Sequence, residues 1–150
     1  MISNNIFNFL TKLTYIKLYD ITRITSDGLM KLSNLTRLNL CYNYNIPNNC
    51  LINLTNLKHL NLNSNKIITD ETLMMLTDLT SLALSNSFIT NNGIYNLTNL
   101  KYLEYLDTSD RITYDGLTQL TQLSVLKAYP QMEITKKFKN LRKNCTIMCI

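Results

Sequence analysis

Leucines recur along this chain at a nearly constant interval, and the apolar and polar positions between them follow one pattern. The clearest copy is segment 54–69, which reads L-T-N-L-K-H-L-N-L-N-S-N-K-I-I-T. Its first leucine has five equivalents, spaced by 22, 22, 22, 21 and 23 residues, in the series Leu10, Leu32, Leu54, Leu76, Leu97 and Leu120. A period in this range is typical of a solenoid, in which each repeat forms one coil.

Each repeat has two halves. In the first half, apolar residues alternate with polar ones, as at Leu60 and Leu62, which predicts a short strand with one buried face. The second half starts with Ile-Thr, as at Ile68-Thr69, and has Asp or Asn in the following turn. Threonine favours the N-cap position, so this half predicts a short helix or 3₁₀ turn, with the acidic residues explained by helix capping.

Two further positions recur in several repeats. An asparagine follows the strand three times, at Asn43, Asn65 and Asn86. We expect its amide to hydrogen-bond the turn and the neighbouring coil. Glycine occupies one equivalent position of the second half, at Gly28, Gly93 and Gly116. Because Cys50 and Thr72 occupy it elsewhere, the position predicts close packing between coils rather than a positive φ.

The combined pattern, L-T-N-L-x-x-L-x-L-x-x-N followed by I-T-D-x-x-L-x-x-L, resembles the leucine-rich repeat family over almost the whole chain. The resemblance implies an α/β fold: a curved leucine-rich repeat solenoid with a parallel β-sheet on its concave side. Short helices or 3₁₀ turns would form the convex side, and the concave face would bind proteins. The convex segments are similar to those of F-box/leucine-rich repeat proteins, although the units here are shorter.

The length of 150 residues leaves room for one domain. We divide it into a partial N-terminal repeat at residues 1–9, five to six repeats of 21–23 residues at 10–129, and a C-terminal cap at 130–150. The cap has a convex segment with Ile134 and Phe138 and a closing strand that hides the last core layer. Nothing comparable covers the first coil, so its apolar residues Ile2, Phe7 and Phe9 could pair with another copy as a homo-oligomer. Truncation of a longer ancestor explains that edge equally well.

Candidate binding residues follow from the strand pattern. If the strand leucines point inward, their neighbours form three columns on the concave face. The large and polar members of these columns are Tyr15, Lys17, Tyr19, Arg37, Asn39, His59, Asn61, Tyr102, Glu104, Leu106, Lys127 and Tyr129. Aromatic and Arg side chains often anchor interfaces, but such positions can also be ordinary solvated sites on a strand.

The sequence argues against catalysis, cofactors and metals. Four cysteines include no CxxC pair, and His59 is the only histidine, so a zinc site is not expected. His59 and Cys41 could approach each other, but neither a third catalytic group nor an oxyanion device accompanies them. The chain has no P-loop, no dinucleotide fingerprint and no H-E-x-x-H motif. We therefore predict that the protein is not an enzyme.

The charge distribution and the terminal segments limit the classes of partner and the cellular compartment that we expect. Nine basic residues balance nine acidic ones through residue 126, and the net charge of +5 comes from the last 24 residues. A nucleic-acid groove should spread basic residues along one face, so nucleic acid is not the expected partner. The N-terminus does not read as a signal peptide, and no stretch is long enough to span a bilayer. These features predict an intracellular, cytoplasmic protein.

Three functions remain open from the sequence. The leading one is a non-catalytic protein–protein interaction module that binds an unknown protein partner through the concave face. An alternative is the substrate-recognition part of a ubiquitin-ligase adaptor of the F-box type, although the repeats begin near residue 2 and leave no room for an F-box. The third is a self-associating structural solenoid.

The repeat register generates a stability prediction. A leucine at a strand position of the middle coil packs against both neighbouring coils, so Leu60→Ala should lower the free energy of unfolding by about 2–5 kcal/mol. Urea denaturation measures this change. An unchanged midpoint would show that the register is wrong.

Overall fold

The computed structural model describes residues 8–18, 26–141 and 144–149. Within these ranges, seven strands form one parallel sheet whose spatial order follows the sequence. The strands are β1 Tyr15–Lys17, β2 Arg37–Asn39, β3 His59–Asn61, β4 Ser81–Ala83, β5 Tyr102–Tyr105, β6 Val125–Ala128 and β7 Thr146–Cys149. Each repeat therefore contributes one strand beside that of the preceding repeat, as the pattern predicts.

The second half of each repeat crosses back on the other side of the core. The described helices are α1 Ser26–Leu29, α2 Asp70–Leu73, α3 Asn91–Ile94, α4 Tyr114–Thr118 and α5 Glu133–Leu141. A 3₁₀ helix at Asn48–Leu51 takes this place in the repeat that has Pro47 instead of threonine at the N-cap position. Both of the predicted convex forms thus occur.

The core is a stack of leucine layers between the sheet and these short helices. Leu38, Leu60 and Leu82 lie opposite one another in adjacent strands, and each is no more than 3% exposed. Burying a leucine side chain contributes about 1.5–3 kcal/mol, but a single coil buries too few to offset its loss of chain entropy. At the second inward position, Tyr105 and Ala128 replace leucine and are equally buried.

The asparagines that follow the strands form a ladder of hydrogen bonds between neighbouring coils, but this asparagine ladder is shorter than the sequence suggested. Asn43 and Asn65 are fully buried, and the Asn65 Oδ1 accepts hydrogen bonds from the backbone N–H groups of Ile67 and Ile68, both at 3.0 Å. Its Nδ2 reaches back to the carbonyl oxygen of Asn43 at 2.8 Å. Each amide therefore closes its own turn and also binds the preceding coil.

The assignment of Asn86 to this ladder is wrong. Asn86 is exposed and has a φ of 55°, the value also found at Tyr42 and Ser64, so these three residues are equivalent. The ladder position belongs to the buried Ser87, whose Oγ lies 3.4 Å from the N–H of Ile89. The turn of this repeat is one residue shorter than that of the preceding one, which shifted the alignment.

In the next repeat a tyrosine replaces the missing asparagine. The Tyr105 hydroxyl donates to the carbonyl oxygen of Ser109 at 2.6 Å and accepts from the N–H of Ile112 at 3.4 Å. Arg111 Nη1 donates to the carbonyl oxygen of Ser87 in the preceding coil at 3.3 Å, just as Asn65 donates to that of Asn43. Two longer side chains thus make the contacts that one asparagine makes elsewhere.

The acidic residues of the convex turns lie in the first turns of their helices, as the capping explanation expects, but Asp70 and the amide of Asn91 also link neighbouring coils. The carboxylate of Asp70 accepts from the Thr90 backbone N–H at 2.9 Å and from its hydroxyl at 2.5 Å. The Asn91 side chain also binds Thr113: its Oδ1 accepts from the Thr113 backbone N–H at 2.9 Å, and its Nδ2 donates to the Thr113 hydroxyl at 2.8 Å. Threonine occupies the predicted N-cap positions, but of these two, only Thr90 caps its own helix with its side chain.

These links explain two of the glycines. A Cβ atom at Gly93 would clash with the Asp70 carboxylate, and one at Gly116 would clash with the Asn91 side-chain oxygen. The described glycines do not adopt positive φ, as the sequence predicted. Glycine is therefore required here because the linking side chain of the preceding coil occupies the space of a Cβ.

Gly116→Ala should force Asn91 to give up its two bonds to Thr113 and should lower the free energy of unfolding by about 1–3 kcal/mol. Because the damage passes through Asn91, the same substitution should cost less than half as much in an Asn91→Ala background. Denaturation of the four proteins of this double-mutant cycle measures the difference. Equal costs in both backgrounds would contradict the explanation.

Candidate functional site

The concave face consists of the strand positions whose side chains point away from the core. Strand pairing aligns its two inner columns in register. The first column is Tyr15, Arg37, His59, Ser81, Tyr102 and Val125, and the second is Lys17, Asn39, Asn61, Ala83, Glu104 and Lys127. Residues about 22 positions apart in sequence thus become immediate neighbours.

An open groove of about 660 Å³ crosses this face. Seven of the predicted site residues line it: Tyr15, Arg37, Asn39, His59, Asn61, Tyr102 and Glu104. The small side chains of Ser81 and Ala83 also line the groove, between the larger residues of β3 and β5. They form its floor.

The remaining predicted residues lie outside the groove. Lys17 lies on the edge strand β1, and Lys127 lies on β6 beside Glu104. Leu106 and Tyr129 directly follow β5 and β6, and both are half-buried. Tyr19 lies outside the described residues.

Glu104 is the centre of a hydrogen-bond network that spans four strands. Its Oε1 accepts from Asn63 Nδ2 at 2.7 Å, and its Oε2 accepts from Lys127 Nζ at 2.9 Å and from the Tyr102 hydroxyl at 3.3 Å. Asn63 belongs to a coil two repeats earlier, so its bond crosses the strand that carries Ala83. We infer that a larger residue in place of Ala83 would obstruct this contact.

This network shifts the pKa values of its members. Burial alone raises the pKa of Glu104, but the hydrogen bonds from Lys127 and Asn63 outweigh it and hold the pKa below its ordinary value of 4.5. The hydrogen bond to Glu104 raises the pKa of Lys127. Burial and the nearby Glu104 charge raise the pKa of Tyr102. Glu104 and Lys127 are therefore both charged at neutral pH, and Tyr102 remains a neutral phenol.

The other end of the groove has a different electrostatic character. Burial and the neighbouring Arg37 lower the pKa of His59 below 6.5, so its imidazole is neutral at pH 7. Arg37 lies opposite His59 in the adjacent strand and is exposed. No hydrogen bond or ion pair joins its guanidinium to another described side chain. As far as the described residues go, this end of the groove therefore presents a cation without an ion-pair partner.

The sequence missed Asn63 as a site residue. Its position in the repeat predicts an outward-facing side chain, but nothing in the repeat shows that its amide reaches Glu104. Its Oδ1 also accepts from the backbone N–H of Ser85 at 2.8 Å, so both ends of the amide are fixed. The only available signal was the small residue at position 83, which leaves the path open.

The two residues that the sequence raised as a possible catalytic pair are Cys41 and His59, and only His59 lines the groove. Burial raises the pKa of the Cys41 thiol, which disfavours a nucleophilic thiolate. Over the described ranges, no three His, Cys, Asp or Glu side chains converge as ligands for a metal ion. The part of the chain that the structure describes has no helix long and apolar enough to cross a membrane.

A second cavity of about 500 Å³ lies between the turn before α4 and the start of α5. Asp110, Asp115 and Glu133 are among its lining residues, and Glu133 pairs with Lys137 at 2.6 Å. It contains none of the predicted binding residues and does not touch the sheet face. We therefore assign the candidate site to the concave groove.

Solved structures include chains with a similar fold. Internalin C2 from Listeria monocytogenes is 23% identical, with a TM-score of 0.57 over 81% of this chain and 64% of that chain. The internalin inlF of the same organism is 22% identical, with a TM-score of 0.58 over 82% and 44% of the two chains. A chain of the Toll–Spatzle complex of Drosophila is 20% identical, with a TM-score of 0.66 over 85% and 18%. This chain spans less than two thirds of each of them.

The repeated leucines, the seven-stranded parallel sheet of the described residues and these likenesses together show that the chain is a leucine-rich repeat solenoid. The predicted fold class is confirmed. No protein-family model matches the sequence, and no curated protein matches it. The resemblance to the repeats of F-box proteins and the division into partial repeat, repeats and cap stay predictions.

The Glu104 network generates a pH-dependent stability prediction. Because the pKa of Glu104 is lowered in the folded state, its carboxylate stabilises the protein above pH 4.5, and this contribution is lost as the pH falls through the folded-state pKa. Glu104→Gln should lower the free energy of unfolding at pH 7 by about 1–3 kcal/mol, and the difference from wild type should narrow below about pH 4.5.

Urea denaturation between pH 3 and pH 7 measures this difference. Glu133→Gln is the matched control, because its pKa is also lowered by a lysine but its carboxylate is exposed, so its effect should be small. A gap between wild type and Glu104→Gln that stays constant over this range would contradict the assigned role of Glu104.

Proposed function

We propose that this chain is a non-catalytic protein–protein interaction module that binds a protein partner through its concave face. The observation that supports this most is the groove across β1 to β5, with large side chains at both ends and a floor of Ser81 and Ala83. Solenoids provide extended binding surfaces of this kind. Tyrosine and arginine, both present here, are common energetic anchors of interfaces.

The fixed arrangement of the groove also supports binding. Glu104, Asn63 and Lys127 hold one another by hydrogen bonds, and the Asn39 Oδ1 accepts from the N–H of Cys41 at 2.9 Å. Side chains that are ordered before association lose less conformational entropy when a partner binds. The groove is therefore preorganised for a partner that matches it.

The ubiquitin-ligase alternative would use the same face. Its support is the form of two convex segments, I-T-S-D-G-L at 24–29 and I-T-Y-D-G-L at 112–117. A substrate-recognition role is a special case of partner binding, and no contact within the structure favours it over another kind of partner. We keep the broader proposal.

Self-association is a second candidate function, because one observation favours it. Phe9 is 84% exposed near the start of the solenoid, and Leu10, Leu13 and Ile16 of the first coil are only partly buried. Their equivalents in the following coil, such as Leu38, are buried. The predicted contributions of Ile2 and Phe7 lie outside the described residues.

Partner binding is tested by affinity purification with the full chain, identification of bound proteins by mass spectrometry, and titration of a purified partner. Arg37→Glu, Tyr102→Ala and Tyr129→Ala should weaken binding, with a loss of about tenfold or more for an anchor residue. Tyr95→Ala and Lys136→Glu are matched controls, because both residues are exposed away from the sheet face. Binding that survives all three substitutions, two in the groove and one after β6, would place the site elsewhere.

A further inference from the structure

We propose that the partner engages the groove with an acidic segment, in which a carboxylate binds Arg37 and an apolar or aromatic side chain fills the space above Ser81. This inference rests on the proposed function and adds the chemistry of the partner. Three features of the described residues support it: the charge distribution, the geometry of Arg37 and the position of the small residues.

The charges on the groove surface determine the charge expected of the partner segment. Among the described residues of the two inner columns, Glu104 is the only carboxylate, and it is held by Lys127, Asn63 and Tyr102. His59 is neutral at pH 7 because burial and Arg37 lower its pKa. Among the described residues, the positive charge of Arg37 thus has no ion-pair partner on the groove surface. A carboxylate from a partner would supply one.

The guanidinium of Arg37 is well suited to that role. It is exposed at a strand position, opposite Tyr15 on one side and His59 on the other. A guanidinium binds a carboxylate through two parallel hydrogen bonds, which fixes its orientation as well as its charge. The neighbouring rings of Tyr15 and His59 restrict the directions from which a carboxylate can approach.

The small residues define a second contact. Ser81 lies in register with Arg37 through His59, two strands away. Adjacent strands lie about 4.8 Å apart, so the two positions are about 10 Å apart. An extended peptide in the polyproline II conformation has about three residues per turn and rises about 3.1 Å per residue, so its side chains three positions apart share one face and lie about 9 Å apart. Tyr102 borders the far side of Ser81 and offers an aromatic wall. The matching segment is therefore an extended peptide with an acidic residue three positions from an apolar or aromatic one.

The probe is a phage-displayed library of random dodecapeptides, selected on the full chain at physiological salt. We expect enriched peptides to contain an acidic residue and an aromatic or large apolar residue three positions apart. A synthetic peptide of this kind should bind about tenfold or more weakly to Arg37→Glu and should lose affinity as salt rises. Lys136→Glu changes the net charge equally and should leave its affinity unchanged.

Ser81→Trp, which fills the groove floor, separates failure of this inference from failure of the proposed function. Peptides that lose binding to Ser81→Trp but lack an acidic residue, or bind Arg37→Glu normally, would overturn the acidic partner and leave the concave site intact. Peptides that bind Ser81→Trp normally would contradict the concave site itself. A selection that enriches no peptide counts against the inference. So does a chain that binds a labelled oligothymidylate through Arg37 but binds no acidic peptide. Circular dichroism confirms that each variant is folded.

Discussion

Each coil of this solenoid depends on its neighbours, because a coil alone cannot bury its leucines or satisfy its own turns. Leu38, Leu60 and Leu82 are buried only because they stack in consecutive layers. The polar groups follow the same rule, since Asn65 binds the coil before it and Asp70 binds the coil after it. Stability therefore resides in the interfaces between repeats, and these interfaces fix the spacing of the whole chain.

The same constraint creates the binding surface. Strands locked in register place one residue of each repeat beside its equivalent, so Arg37, His59 and Ser81 become neighbours although 22 residues separate each from the next. Substitutions at these outward positions leave the stack intact. The surface can therefore vary while the scaffold stays regular, and the groove is lined by outward residues of β1 to β5, including those of the most regular repeats.

The sequence predicted the regular part of this structure well. The leucine period gave the strands, their order, their buried faces and the two inner columns, because each is a direct consequence of one repeated spacing. It failed where one repeat differed in length: the turn before Ile89 lacks a residue, so Asn86 was aligned with the wrong position. The pattern of polar positions does not show which of two adjacent polar residues, here Asn86 and Ser87, points inward.

The sequence pattern could not predict which side chains of different repeats contact each other. The link from Asn91 to Thr113 and the bond from Asn63 to Glu104 join side chains whose pairing depends on rotamers and on the space left by Gly116 and Ala83. The candidate site was therefore predicted as a set of positions but not as an electrostatic arrangement. The distinction between Glu104, which is paired with Lys127, and Arg37, which has no ion-pair partner among the described residues, required the structure.

Hydroxyl-radical footprinting of the chain, alone and bound to its purified partner, tests the central claim most directly. Tyr15 on the concave face and Tyr95 on the convex side are 52% and 57% exposed, so they report on the two faces with similar initial reactivity. The account predicts that binding protects Tyr15 and leaves Tyr95 reactive. Protection of Tyr95 with an unchanged Tyr15 would contradict it.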